Sequence, residues 1–376
     1  MNNRERLKAV LNYEKYDRLP VLHFGFLEET LQKWVAEGHL KPEEIIGVTD
    51  GSDAERALAT KLGFDFNYYT VFMDKTDVLA SLYPPFERRV LEELPDGKIK
   101  TLNFYGVVEL EKPGVLSIPT EVDHLLKDRK SWEEHFKPRL QYSDDRIDWD
   151  KLNELKKNDQ KREEPIGAYC GSLFGQIRNM MGIEGVTYLS VDDEELLDEI
   201  IDTLGQLSYK VTEKLLSSGV KFDFIHFWED ICFKNGPLVT PRLFEKKVGP
   251  HYKHITDLAK KFGINLASVD CDGKIDALVP IWVKNGVNTM FPIEVGTWNG
   301  NIKPWRELYG KEIRGVGGMN KNVFAQDYAA IDDEIERLKP LVEMGGFIPC
   351  PDHRIPPTAK WENIQYYCDR MRKVFG

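Results

Sequence analysis

The chain has 376 residues, 41% of them hydrophobic and 30% charged, with a formal net charge of −11. A chain of this length and composition buries one large core or two ordinary ones, and it is neither disordered nor fibrous. The acidic balance argues against nucleic acid as a partner, and no apolar run approaches the ~20 residues that span a bilayer.

The first twenty residues, MNNRERLKAVLNYEKYDRLP, carry no apolar signal core. Cys170, Cys232, Cys271, Cys350 and Cys368 are scattered and form no CxxC pair, a pattern that suits neither a disulfide framework nor a zinc ribbon. A cytoplasmic address with reduced thiols is the expectation, and any metal must be held by ligands from distant parts of the chain.

In chain order, a helix opening at Asn3 leads to a strand over 19–24. Residues 65–119 break the later alternation: runs at 86–94, 99–104 and 107–110, the first two separated by a Pro95-Asp96-Gly97 turn, predict antiparallel hairpins. They read as an inserted lid. Residues 127–160 are charged and helical, packing outside. A strand over 165–170 follows, then a helical stretch carrying Leu173, Phe174, Ile177, Met180 and Met181. Leu196, Leu197, Ile200, Ile201, Leu204, Val211 and Leu215 predict a helix over 192–218, ended by Gly219. After a strand over 222–227, Thr240-Pro241 caps a helix running towards Lys261, bent at Pro250.

The unit repeats with strands over 265–269, 287–293, 313–316 and 347–348, and helices over 275–284, 304–309, 329–344 and 361–375. Strands alternating with helices predict a parallel sheet. Seven such strands can be counted, and eight close a barrel. The expected fold is α/β, a (β/α)8 TIM barrel forming a single domain over 1–376 with an inserted antiparallel hairpin region. An open doubly wound sheet is the rival, but no glycine-rich phosphate loop follows the first strand.

In a parallel barrel, function collects at the C-terminal ends of strands. His23, then His226 with Glu229 and Asp230, then Asp270 with Asp272, Glu294, Asn320, and Asp352 with His353 and Arg354 fall at successive predicted strand ends. That pattern points to an enzyme. Each residue also has a plainer reading. His23 in an aromatic setting can be a packing residue, and His226 with Glu229 an ordinary strand-end hydrogen bond. Glu294 can be a helix N-terminal charge. Trp228 and Trp298 are walls for a flat ligand or simple core, and Cys170 and Cys350 suit core thiols. Asp270 and Asp272, two apart on an extended segment, project to one side. Their repulsion needs a metal, another cation, a shared proton or open solvent to offset it.

Several of these runs resemble the uroporphyrinogen decarboxylase superfamily over most of the chain: Asn3-Arg4-Glu5-Arg6 to Asp17-Arg18-Leu19-Pro20, Asp272-Gly273-Lys274, Phe291-Pro292-Ile293-Glu294, Gly317-Gly318-Met319-Asn320-Lys321, and 345–357. The resemblance implies the (β/α)8 barrel. It does not imply heme biosynthesis, since Leu22-His23-Phe24-Gly25-Phe26-Leu27-Glu28-Glu29 holds no arginine to grip propionates, and the family's Phe-Ser-Asp motif is missing.

The superfamily's corrinoid-dependent methyltransferase branch carries a His-x-Cys-Gly motif and a distant Cys as zinc ligands. Here the matching places read Asp270-Cys271-Asp272-Gly273 and His353-Arg354-Ile355-Pro356. The resemblance therefore implies Asp270, Asp272 and His353 as ligands of zinc or another divalent metal, a harder site than thiolates make. Such a site suits an ether oxygen, as in an aryl methyl ether. The function implied is demethylation of a small methylated, O-methyl substrate onto the Co(I) corrinoid of a partner protein. His226, Glu229 and Glu294 would be catalytic, orienting or protonating the leaving oxygen. His23, Trp228, Asn320 and Arg354 would bind substrate. The alternatives are a decarboxylase or lyase acting on a tetrapyrrole or other carboxylate, and a non-catalytic corrinoid- or tetrapyrrole-binding protein. A homodimer is left open.

Overall fold

The computed structural model describes residues 1–73, 78–112 and 119–376. Parts of the predicted lid, 74–77 and 113–118, lie outside the described residues.

Among the described residues, eight parallel strands organise the chain. β1 (Leu22–His23) pairs with β2 (Phe66–Asn67), with Leu22 opposite Phe66 and His23 opposite Asn67. Four antiparallel strands follow: β3 (Arg89–Glu93), β4 (Ile99–Leu102), β5 (Val107–Glu111) and β6 (Thr120–His124), in the order β3-β4-β5-β6. Then come β7 (Gly167–Tyr169), β8 (Phe224–Trp228), a small hairpin of β9 (Cys232–Phe233) and β10 (Gly236–Pro237), β11 (Ala267–Asp270), β12 (Thr289–Phe291), β13 (Arg314–Met319) and β14 (Phe347–Pro351). The parallel sheet runs β14-β13-β12-β11-β8-β7.

Two expectations are revised. β2 lies inside the span assigned to the insertion, yet it is a parallel strand, so the antiparallel region begins later, at β3. The closed barrel is not seen as one continuous ladder among the described residues. β1–β2 form their own sheet, joined to the end of β14 by a single parallel bridge between Phe26 and Ile355. Strands of two residues offer too few backbone groups for a longer ladder, and the helix Thr70–Met73, which follows β2, packs against β7.

The helices answer to their sequence patterns. Glu194–Ser217 buries the face read from its spacing, and the Asp193 side chain accepts the N–H of Leu196 as its cap. Thr240 caps the next helix through Leu243 N, with Pro241 in the first turn. The bend expected at Pro250 takes the form of a π turn over Phe244–Val248 just before Gly249–Lys261, because proline has no N–H for the ladder. Residues 127–160 are not one helical stretch. They are short turns and the helix Trp149–Asn158, wrapped about the buried Arg146 guanidinium, which donates to the carbonyls of Leu79, Gln141 and Ser81.

An aromatic plug fills the space enclosed by the parallel strands. Tyr68 stacks on Phe224 at 6.0 Å and lies 4.9 Å from Phe291, and its hydroxyl bonds to Ser268 on β11. Below the strand ends the interior is thus closely packed, and the acids stand at the C-terminal mouth above it. All five cysteines are free and buried. Among the described residues no helix is long and apolar enough to cross a membrane.

Candidate metal centre and active site

Neighbouring strands bring the acids together. In the parallel register Asp270, the last residue of β11, stands beside Trp228 of β8 and Phe291 of β12. Asp272 follows two residues on, and its N–H donates to the Asp230 carboxylate at 3.0 Å. Asp230, Asp270 and Asp272 each offer a carboxylate oxygen within 4.8 Å of the others. Asp230 sits at φ 46°, a left-handed conformation that aspartate tolerates and that turns its side chain back towards β11. Ile293, after β12, also has a positive φ of 56°. For a β-branched residue that is strain, and strain of this kind collects where a fold places functional groups.

The cluster is electrostatically unbalanced. Burial, and then Asp272, push the Asp230 carboxyl up to about 7, while Arg178 and His353 pull the other way. Burial, Asp230 and Asp272 hold Asp270 well above the usual carboxylate range. Glu294 is raised by burial and by Asp272. It accepts from Gly273 N at 2.6 Å and Thr297 Oγ1 at 2.9 Å. Asp272 Oδ1 is buried with no hydrogen-bond partner. His353 Nε2 lies 3.5 Å from Asp272 Oδ2. Several carboxylates competing for too few donors, one oxygen of them orphaned, fit a divalent cation, and this all-oxygen set suits a hard metal; His353, expected as a ligand, lies against Asp272 but is not one of the group.

The other predicted residues divide by location. Arg354 stands at the mouth, paired in a bidentate manner with Asp50 (3.0 and 2.5 Å) and lying over the rings of Phe24 and Tyr69. Gly25 is obligatory there: at φ 82°, any Cβ would meet Arg354 Nη1 at 2.5 Å and Asp50 Oδ1 at 2.6 Å. Trp228 is half-buried beside Asp270.

His226 lies two residues deeper on β8, fully buried and stacked on Phe72, with both ring nitrogens unpartnered and burial holding it neutral. It belongs to the aromatic plug below the acids. His23 is packed between Phe26 and Phe64, accepts the Gly25 N–H at 3.1 Å and is held down to about 3 by burial. Its Nε2 lies 3.2 Å from Glu55 Oε1. Asn320 caps the turn that follows β13 through Asn322 N and does not join the cluster.

Glu229 is a correction. Its carboxylate accepts from the N–H groups of Leu173, Phe174 and Gly175 (2.8, 2.9 and 2.7 Å), from Ser172 Oγ and from the Tyr252 hydroxyl. With five donors around it, this side chain ties the start of the helix Gly175–Asp192 to β8, its oxygens all taken by protein groups.

No family model matches the chain, and no curated protein matches it. Among solved structures, a methyltransferase from Methanosarcina mazei superposes with a TM-score of 0.59 at 14% identity, covering 100% of both chains. The chain shares that protein's fold. A B12-independent methionine synthase from Shewanella sp. W3-18-1 aligns over 95% of the chain and 98% of its own length at 13% identity, with a TM-score of 0.45.

Three contributors escaped the sequence reading as site members. Asp230 was visible at the end of β8 but was not placed among the ligands, since its geometry depends on a backbone turn. Asp50 and Arg178 come from segments with no strand-end signal, and only the folded chain brings them to the mouth.

Proposed function

We propose that this protein is a methyltransferase that demethylates a small O-methyl substrate, handing the methyl group to the Co(I) corrinoid of a partner protein. The observation that carries the reading is the cluster of Asp230, Asp270 and Asp272 with His353 alongside, at the strand ends of a fold shared with a methyltransferase. The eight strands act as a barrel whose mouth is the active site.

Asp230, Asp270 and Asp272 would hold the metal, with His353 as a further ligand or as the hydrogen-bond partner of Asp272. The chemistry such a cation would supply there is Lewis acidity towards an ether oxygen. When the carbon–oxygen bond breaks, its electron pair stays on oxygen and the methyl group leaves as a cation equivalent, so the oxygen needs a proton. Glu294 is the acid best suited to give it: it is beside the ligands, outside their number, and already raised by burial and by Asp272. Trp228 and Phe24 wall the mouth for a flat substrate, and Arg354 is fixed by Asp50 as a positive edge.

The antiparallel strands serve as a lid. Tyr105, at the turn between β4 and β5, is among the groups that raise the Tyr169 hydroxyl at the end of β7, after burial and Tyr69. The experiment is incubation of the metal-loaded protein with methoxylated aromatics and a Co(I) corrinoid, following loss of Co(I). Conversion of uroporphyrinogen to coproporphyrinogen would overturn the reading in favour of a decarboxylase. Tight tetrapyrrole binding without turnover would favour a binding protein.

A further inference from the structure

The helix Gly175–Asp192 begins directly against the acids. Glu229 takes the N–H groups at its start, and Asp230 is the next residue along the chain. Arg178 lies in the first turn of that helix, its N–H bonded to Phe174 O at 3.1 Å. The side chain is half-buried and Nε is fully buried without a partner. Among the described residues its guanidinium makes no hydrogen bond and no ion pair, and it feels Asp230 only through space.

A guanidinium cannot shed its charge in a protein, so burying part of one without a partner is costly unless something else completes it. The second arginine of the mouth, Arg354, is satisfied: Asp50 grips it at both Nη atoms. Asp230, the acid whose carboxyl Arg178 influences, already accepts the Asp272 N–H and faces the other two carboxylates. That leaves one forked, planar cation without a protein partner on the helix that starts against the acids. The group that matches a guanidinium fork in shape and charge is a carboxylate, bound through two parallel N–H···O bonds.

We propose that Arg178 receives a carboxylate carried by the substrate, which makes the substrate an aromatic acid. The methoxy part of that substrate rests on the methyl-transfer reading; the carboxylate rests on Arg178 alone. A neutral methoxyarene would leave the guanidinium unpaired and bind more weakly.

Calorimetry on the full-length protein, with and without Zn2+, separates these points using 4-methoxybenzoate and the uncharged 4-methoxybenzamide as probes. The wild type binds the benzoate about tenfold or more tightly than the amide, as expected for a charge-assisted pair. Arg178→Gln abolishes that preference while leaving amide binding and Zn2+ affinity as they were, and Arg178→Lys, which keeps charge but loses the fork, retains part of it. Equal binding of the two probes by the wild type would overturn the proposal. So would an Arg178→Gln variant that loses Zn2+ affinity with its preference intact, since Arg178 would then serve Asp230 only. If the preference stands and no methoxy compound gives up its methyl group, the methyl-transfer reading fails and the carboxylate site remains.

Discussion

The main-chain N–H of Asp272 donates to the side chain of Asp230 across two neighbouring strand ends at 3.0 Å. That one bond locks together two acids that repel each other, and it fixes the spacing of the trio they form with Asp270. It also makes Asp230 as much a part of the centre as the two aspartates that the sequence pattern singled out.

Asp230→Asn and Asp272→Asn should therefore behave alike. Each keeps shape and removes one charge from a set whose members push one another's carboxyl groups upward. Both should weaken divalent-metal binding by about tenfold or more and remove most methyl transfer, with the thermal transition of the metal-free protein unchanged or raised. Metal titration and calorimetry check this. An Asp230→Asn variant with full metal affinity would take that residue out of the centre.

Glu229 should show the opposite profile. Truncating it to alanine strands the N–H groups of Leu173, Phe174 and Gly175 in a dry interior, at a cost of about 3–5 kcal/mol. Denaturant unfolding should show this loss for Glu229→Ala. Methyl transfer per folded molecule should stay within a few-fold of the wild type, since the residue has no free oxygen for a substrate.

Gly317 on β13 has φ 119°, and a Cβ there would lie 1.6 Å from Pro292 O. The obstacle is backbone and cannot rotate aside. Gly317→Ala should cost about 3 kcal/mol or more in unfolding free energy and disturb Glu294, two residues beyond Pro292. A circular-dichroism melt checks the first effect and the methyl-transfer rate of the folded fraction the second.

Glu55 provides a pH test away from the centre. Burial lifts its carboxyl from 4.5 to about 7, opposed by the Gly51 N–H. A carboxyl raised in the folded state contributes stability that is fully present below its unfolded pKa and is lost as pH rises through the folded one. From pH 4.5 to 7 the wild type should lose stability relative to Glu55→Gln by an amount approaching 3 kcal/mol, at about 1.4 kcal/mol per tenfold change in proton affinity. Parallel stability curves for the two proteins would show that Glu55 is ionised in the native state.

Much of the fold was legible because long periodic segments state their own geometry. The spacing of Leu196, Ile200, Leu204 and Val211 describes one helix face, and the apolar run ending at Asp270 describes a buried strand. β2 was not legible, since two residues cannot show a period of two. Residues 127–160 look helical by composition, but Arg146 at their centre gathers carbonyls and breaks the run into turns. In the site, Asp270, Asp272 and His353 were visible from strand ends. Asp230 needed the left-handed turn after β8, and the true part played by Glu229 needed the helix start folded back upon it.

The most direct test of the central claim is a single-turnover assay in which metal-loaded wild type and Asp272→Asn are each mixed with a methoxylated aromatic acid and a Co(I) corrinoid, and the loss of Co(I) absorbance is followed. Substrate-dependent loss with the wild type, and less than about a hundredth of that rate with Asp272→Asn at equal folded concentration, is the predicted result. Equal rates for the two proteins, or no loss of Co(I) with any methoxylated substrate, would contradict it.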